Sequence, residues 1–437
     1  MLITFILASL CNFLCINADQ IAEGKTKIIR RYAADQTKVI IESKDDITSG
    51  DGYKKHDIMR GKSALANQTT CNVFRLLKQC NIPVAFDEQI DHNKFLAPQC
   101  TMIQLEVVVR RAAHGSCLKR YPHLRKADVF PQLIVEFFLK TSGRQWQGSP
   151  IPKDDPFMII NNNKADLYLP DAPLHSQQPF LTLDTFPCDQ QPELYDHMAL
   201  IAKKTFLILE KAWQLQGGQL VDFKVEFGID AHGNLLLADV IDNDSWRVLK
   251  NENYIDKQFY RDGGELDAVT KLYEQVQSLT ARFSLPTQQL IIWRGSEKDV
   301  VEPLLEQWKS ALSWLDVKIV TISMHKEPVK GYQELQKALQ EIPNSVIVAF
   351  IGRSNGAGPT LAAQCTVPVI TVPVNWQQFP EDVWSSLRAP SDVPVLTILE
   401  PNNALLAALQ ILAMNNPALY AQLRMNQEKR LINTSIN

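Results

Sequence analysis

Residues 220–247 read LVDFKVEFGIDAHGNLLLADVIDNDSWR and concentrate side chains able to do chemistry. Val221, Phe223, Val225 and Phe227 alternate with Asp222, Lys224 and Glu226, the period of a half-buried strand, so a charged row shares one face. The next run, 235–241, is apolar until Asp239, and the turn formers Asp230-Ala231-His232-Gly233-Asn234 between the runs predict a hairpin. Closure at His232-Gly233 sets Glu226 opposite Asp239, with facing Cβ atoms roughly 4.5–5.5 Å apart. Two half-buried carboxylates at that separation repel unless a cation intervenes. A hard divalent ion such as Mg²⁺, which takes one or two carboxylates plus substrate phosphates, is the simplest occupant. The hairpin alone leaves equally open the alternative that one acid faces solvent or pairs with Lys224.

Further clusters point to anions. Glu23-Gly24-Lys25-Thr26-Lys27 is a glycine turn between apolar runs, and its N–H and ammonium groups can meet phosphate oxygens. It lacks P-loop spacing, and a solvated hairpin tip is the other reading. In VVVRRAAHGSCLKR, 107–120, paired arginines follow an apolar run and Gly115-Ser116 opens a short helix. That arrangement offers a guanidinium fork and a backbone amide to an anion, with a solvated basic patch as the alternative. Arg247, Lys257 and Arg261 add cations after the hairpin; ion pairing with neighbouring aspartates is their structural alternative.

The elements that must hold these groups fall into two sets. Helical spacing at 56–79, 194–213 and 266–283 accompanies the first, and 139–188 reads as a proline-rich, loop-like insertion. Pro286 stops the last helix, so 284–288 is a linker between a domain over 21–283 and another over 289–437. The second alternates strands at 290–293, 317–322, 346–351 and 367–374 with helices at 300–315 and 331–342, the pattern of a doubly wound parallel sheet with ligands at strand C-termini. At those ends stand Gly295-Ser296-Glu297-Lys298-Asp299, Ser323-Met324-His325-Lys326 and Gly352-Arg353-Ser354-Asn355-Gly356. A histidine there can move a proton at neutral pH.

The chain of 437 residues carries a net charge of −3, so no basic field suggests nucleic-acid binding. Its 8 cysteines show no CxxC spacing, which argues against zinc and for reduced thiols. Residues 1–20 are apolar but lack a basic start and are short for a membrane span. They read either as a leader, making the protein secretory, or as an altered start that still supplies a first strand, the reading we favour.

DFKVEFG with LADVIDNDSWR, preceded by EGKTK, SKDDITSG and RRAAHGS and followed by SMHK, GRSNGAGP and DVWSSLR, resembles the animal family that joins a SAICAR (phosphoribosylaminoimidazole-succinocarboxamide) synthetase to an AIR (phosphoribosylaminoimidazole) carboxylase. The likeness runs from about Ile21 onward. It implies α/β and α+β architecture: an N-terminal SAICAR-synthetase-like, ATP-grasp-like domain followed by a doubly wound, flavodoxin-like domain. It implies a bifunctional ligase and lyase of de novo purine synthesis, with ATP and Mg²⁺ as cofactors and no biotin. AIR and CO₂ give the carboxylated ribotide, which ATP and L-aspartate convert to SAICAR.

By the same resemblance, Gly24, Lys25, Lys27 and Lys224 bind ATP, and Glu226 and Asp239 hold the metal. Arg110, Ser116, Arg247, Lys257 and Arg261 bind the synthetase's ribotide. Ser296, Asp299, His325, Lys326, Arg353, Ser354, Asn355 and Gly356 bind AIR and CO₂, with His325, Lys326, Ser354 and Lys224 catalytic. A cytoplasmic homo-oligomer, an octamer, with no membrane or nucleic-acid partner is implied too. The chain departs from the pattern where Asp51 replaces an amide, where His114 replaces a small residue, and at 139–188, which lacks an acidic DDANxDP loop although Asp154-Asp155-Pro156 can replace its acids. It departs again at GSEKD, where Glu297 would repel a phosphate. These departures leave the alternative that only the synthetase half is active and the second domain is an oligomerisation scaffold.

Overall fold

The computed structural model describes residues 20–49, 55–161, 164–184 and 192–431. The expectations for 1–19, for Gly50 and Asp51, and for Cys188 lie outside the described residues. Two units divide at Ser284/Leu285, with the segment from Gln427 onward grouped with the first.

In the first unit the alternation at 221–227 becomes the strand Gln219–Asp230 at the heart of a nine-stranded antiparallel sheet. Phe223 and Phe227 are 1% and 0% exposed, and burying each contributes about 1.5–3 kcal/mol. Phe223 packs under the helix Pro192–Leu215, where the rings of Phe206 and Phe223 lie 5.4 Å apart. One edge of Gln219–Asp230 pairs with Cys100–Ala112. Its other edge is shared by Leu235–Ala238 toward one end and Trp246–Lys250 toward the other. Between them the chain leaves the sheet at Asp239 and returns at Trp246, and the Lys224 N–H bonds the Ser245 carbonyl at 2.7 Å. A second, five-stranded antiparallel sheet holds Gln20–Glu23, Lys27–Arg31, Lys38–Ser43, Lys94–Pro98 and Glu88–Asp91 in that order.

Two expectations for this unit need correction. The helix expected from His56 begins at Lys62, because Gly61 adopts φ +83 and Lys55–Ile58 pairs with Asp46–Ser49 as a strand. The stretch read as a loop forms Phe157–Asn161, Lys164–Tyr168 and Leu181–Leu183, which extend the large sheet beyond Val129–Leu139. Phe157, Met158, Ala165 and Leu167 are buried there; the surrounding prolines masked so short an apolar signal.

The second unit is a five-stranded parallel sheet in the order Asp316–Thr321, Gln289–Arg294, Ser345–Ile351, Val369–Pro373, Val395–Thr397. This is the flavodoxin-like order, with ligands expected where it reverses beside the first strand. Leu290, Ile292, Val348 and Phe350 pack against Leu405 and Leu409, while Ile291, Trp293, Ile347 and Ala349 pack against Leu335 and Leu361. Apolar residues on both faces of each strand are what a sheet covered twice requires. The helix expected at 300–315 is broken at Trp308 into Glu302–Gln307 and Lys309–Leu312.

Candidate functional site

Asp222 pairs in register with Arg110 across the central ladder. The Arg110 guanidinium donates to Asp222 at 2.6 Å and to Glu136 at 2.7 Å, and Arg120 donates to Glu136 at 2.6 Å. Arg247, one strand over, donates to Asp222 at 2.8 Å. Three guanidinium groups therefore share two carboxylates, leaving one positive charge in excess. Burial opposes the charge on Arg110, but Glu136 and Asp222 outweigh it and keep the group protonated. Ser116 Oγ lies 3.5 Å from Arg110. Gly115 has φ +59, and a Cβ there would come within 2.5 Å of Arg247 Nη2. Only glycine lets the guanidinium lie against this turn.

Arg110, Ser116, Asp222 and Arg247 line a cleft of about 410 Å³ that also takes in Lys224, Arg261 and Asp244. The Lys224 ammonium bonds Glu106 at 3.2 Å, and Glu106 first, then Glu226 and Asp239, hold its pKa well above the usual lysine range. Lys257 lies behind the cleft, 3.0 Å from Asp244. Asp154 and Asp155 reach the same cleft from the insertion.

Along the strand from Lys224, Glu226 and Asp239 line a neighbouring pocket of about 360 Å³ with apolar walls that include Ile29, Val39 and Ala97. An apolar slot with a charged end suits a nucleotide base and its phosphates. The expected register is off by one: Glu226 faces Ala238, not Asp239. The Asp230 N–H bonds the Asn234 carbonyl at 3.1 Å, so the loop holds three residues, with Gly233 at φ +82. Asp239 itself, at φ +66, turns back so that both acids still line one pocket. Burial and then the charge of Asp239 push the Glu226 carboxyl up, against the pull of Lys140. Burial opposes ionisation of Asp239 as well, yet Lys27, which pairs with it, holds it below the usual carboxylate range. Lys140 sits 2.6 Å from Glu226.

Among the described residues no group of three or more His, Cys, Asp or Glu is gathered for a metal. Two carboxylates whose mutual charge raises one of them, flanked by lysines able to meet phosphates, do fit a hard ion that completes its shell with water and phosphate. Gly24 and Lys25 are exposed beside this pocket's strand rather than among its lining residues.

In the second unit the strand ends enclose a cleft of about 400 Å³ lined by Ser296, Asp299, His325, Lys326, Arg353 and Ser354. Asp299 accepts from the Ser296 N–H at 3.1 Å. A Cβ on Gly356 would come within 3.4 Å of the imidazole Nε2 of His325, so the third turn closes over the imidazole. Asn355 is buried behind it, bonded to Ser386 at 2.7 Å and Thr371 at 2.6 Å. The Arg353 guanidinium stacks 3.7 Å from the Phe379 ring centroid. Lys298 lines the cleft, whereas Glu297 pairs with Arg294, which also holds Glu302 at 2.9 Å. The repulsion expected from Glu297 is thereby reduced.

Sequence reasoning grouped Arg110, Ser116, Arg247, Lys257 and Arg261 for the ribotide and Gly24, Lys25, Lys27 and Lys224 for ATP beside Glu226 and Asp239; in the structure Lys224 lines the first cleft instead of the second, and Lys257 stands behind the first. That reasoning missed Glu106, Glu136 and Lys140, which are remote in sequence and become partners only through sheet register. It missed Asp256 too, whose carboxyl burial pushes up to about 7 against N–H donors at Gln258 and Val248.

Residues 20–279 match the family described as SAICAR synthetase, and 289–431 match AIR carboxylase. The chain is 34% identical over 95% of its length to the probable multifunctional protein ADE2 of Caenorhabditis elegans, covering 95% of that protein. It is 33% identical, over 92% of each chain, to the Homo sapiens bifunctional phosphoribosylaminoimidazole carboxylase/phosphoribosylaminoimidazole succinocarboxamide synthetase. Among solved structures it is similar to the phosphoribosylaminoimidazole-succinocarboxamide synthase of Ehrlichia chaffeensis, at 26% identity and a TM-score of 0.49, covering 62% of this chain and 100% of that one.

Proposed function

The chain belongs to the family of bifunctional AIR carboxylase/SAICAR synthetases, and from that membership we propose how its residues divide the chemistry. The protein is a ligase and a lyase of purine biosynthesis acting on small-molecule substrates, and its synthetase uses ATP. The observation that carries the assignment is the arginine network with its excess positive charge, opening beside Lys224 onto a carboxylate-lined apolar pocket.

In the first unit Arg247, Arg261 and Ser116 hold the anionic ribotide, and Arg110 sits beneath them, fixed by its ion pairs. Lys27 and Lys224 meet the ATP phosphates, with Gly24 and Lys25 at the turn above and Lys257 supporting the cleft through Asp244. Mg²⁺ held by Glu226 and Asp239 would supply charge neutralisation at those phosphates. The ribotide carboxylate attacks the terminal phosphorus, ADP leaves, and Lys224 stabilises charge on the transferring group. The aspartate amine then displaces phosphate from the acyl carbon.

In the second unit the AIR phosphate sits against Ser296 and the turn's amides, with Lys298 offsetting charge, and Asp299 orients the turn. Carbon–carbon bond formation between the imidazole carbon and CO₂ releases a ring proton, which His325 accepts. Lys326, Arg353 and Ser354 hold the carboxyl end, while Asn355 and Gly356 shape the loop. Biotin has no part in this scheme.

We propose that the enzyme works in the cytoplasm as a closed homo-oligomer, an octamer, without membrane or nucleic-acid partners. No described helix is long and apolar enough to cross a membrane. The test is to feed each half-reaction alone. Carboxylated ribotide, L-aspartate and Mg-ATP should give SAICAR, and Arg247→Ala should lose that activity while keeping carboxylation of AIR. Loss of both, or of neither, would refute the division.

A further inference from the structure

L-aspartate brings two carboxylates and an ammonium group to the first unit's cleft, so the cleft needs an acid whose charge is not already met by a protein cation. The acids lining it are Glu106, Asp154, Asp155, Asp222 and Asp244, of which Asp155 is turned onto the Thr141 N–H. Glu106 is paired with Lys224, Asp222 with Arg110 and Arg247, and Asp244 with Lys257 and Lys62. Asp154 differs. Its Oδ1 accepts from the Thr141 hydroxyl at 3.0 Å and from the Arg144 N–H at 2.8 Å. Among the described residues no lysine or arginine forms an ion pair with it. The adjacent lysine does not compensate it either, because Lys153 is paired with Asp171.

The position is braced as well as charged. Thr141, at the start of the insertion, is tied to Asp155: its N–H donates to Asp155 at 2.9 Å and its Oγ accepts from the Asp155 N–H at 2.9 Å. The insertion thus delivers, from a place remote in sequence, a half-buried carboxylate with an oxygen to spare into the cleft that Arg110, Lys224, Arg247 and Arg261 also line.

We propose that Asp154 is the residue that recognises the ammonium group of L-aspartate and takes its proton for amide formation. This rests on the synthetase reading of the first unit. The ammonium gives one proton to the Asp154 carboxylate and becomes a nucleophilic amine. Its lone pair forms the C–N bond at the acyl phosphate carbon, and the C–O bond to phosphate breaks with its electron pair on the departing phosphate. The second proton from nitrogen goes to that phosphate, and Asp154 returns its own to solvent. No oxidant or further reactant is needed.

The discriminating variant is Asp154→Asn in the full chain, which keeps an oxygen for Thr141 and Arg144 but removes the charge. Losing a charge-assisted hydrogen bond should raise the KM for L-aspartate about 10- to 100-fold and lower kcat, with the KM values for ATP and ribotide unchanged. Hydroxylamine, neutral at pH 7, replaces aspartate as the probe nucleophile. It needs neither ammonium recognition nor a base, so hydroxamate formation from ATP and carboxylated ribotide should match wild type. A KM for aspartate within twofold of wild type overturns the proposal, as does a parallel fall in hydroxamate, which would mean that Asp154 serves the ribotide or the insertion's shape. If wild-type protein forms neither SAICAR nor hydroxamate, the synthetase reading fails and takes the proposal with it.

Discussion

Gly115→Ala should uncouple ribotide binding from the rest of the enzyme. The added Cβ would lie 2.5 Å from Arg247 Nη2 and 2.9 Å from its Cζ, and the backbone there has φ +59. An L side chain in that region costs about 1–3 kcal/mol. The guanidinium must also retreat by about 1 Å to reach ordinary contact, which pulls it from Asp222, now 2.8 Å away. A hydrogen bond between charged groups contributes about 1.5–3 kcal/mol, so the full effect is about 2.5–6 kcal/mol, divided between stability and binding. Denaturant unfolding should report the stability loss, and initial rates should show the KM for carboxylated ribotide raised at least tenfold while the KM for ATP stays put. Combining Gly115→Ala with Arg247→Lys should restore part of the stability, because the shorter head clears the Cβ, but not the affinity, because the fork is gone. A Gly115→Ala enzyme with wild-type ribotide KM, or a double variant no more stable than the single one, would refute this reasoning.

Glu226→Gln and Asp239→Asn should each abolish SAICAR formation and weaken Mn²⁺ binding in a direct titration with the fold intact. Near-normal turnover at modest Mg²⁺ would count against the paired-acid site. In the second unit His325→Asn should remove kcat for carboxylation; Lys298→Ser should raise the KM for AIR about tenfold, and Glu297→Ser should leave it within twofold, because Glu297 pairs with Arg294 outside the cleft. Asp256 is pushed up to about 7 by burial from a reference of 3.8, so the folded state binds this proton more tightly than the unfolded chain. That contribution is complete below the unfolded value and is lost as pH rises through the folded one, at about 1.4 kcal/mol per unit. Asp256→Asn should flatten the denaturant midpoint between pH 5 and 7, and an unchanged slope would contradict the assignment. Light scattering at micromolar concentration should find a closed oligomer, with a monomer as the contrary result.

The parallel sheet was legible because its strands are apolar on both faces, and the central strand because its alternation is strict. Arg110 and Arg247 were legible as anion-binding types, but their partners were not. Glu136 and Asp222 meet Arg110 only through the pairing of three strands, and nothing local in the sequence announces a register. The hairpin was misread by one position because Gly233 serves a three-residue loop, and a single residue of slip moves every pairing. The strands after Leu139 escaped notice because their apolar runs are short and stand among prolines. Glu297 looked hostile to a phosphate until Arg294, three residues back on a buried strand end, was seen to hold it.

The central claim, two successive reactions on one chain, is tested most directly by supplying purified protein with AIR, bicarbonate, L-aspartate and Mg-ATP and measuring SAICAR and ADP together. We expect both to form in equal amounts from AIR, with bicarbonate carbon in the product. SAICAR appearing only when carboxylated ribotide is supplied ready-made would contradict the account and leave the second unit without its reaction.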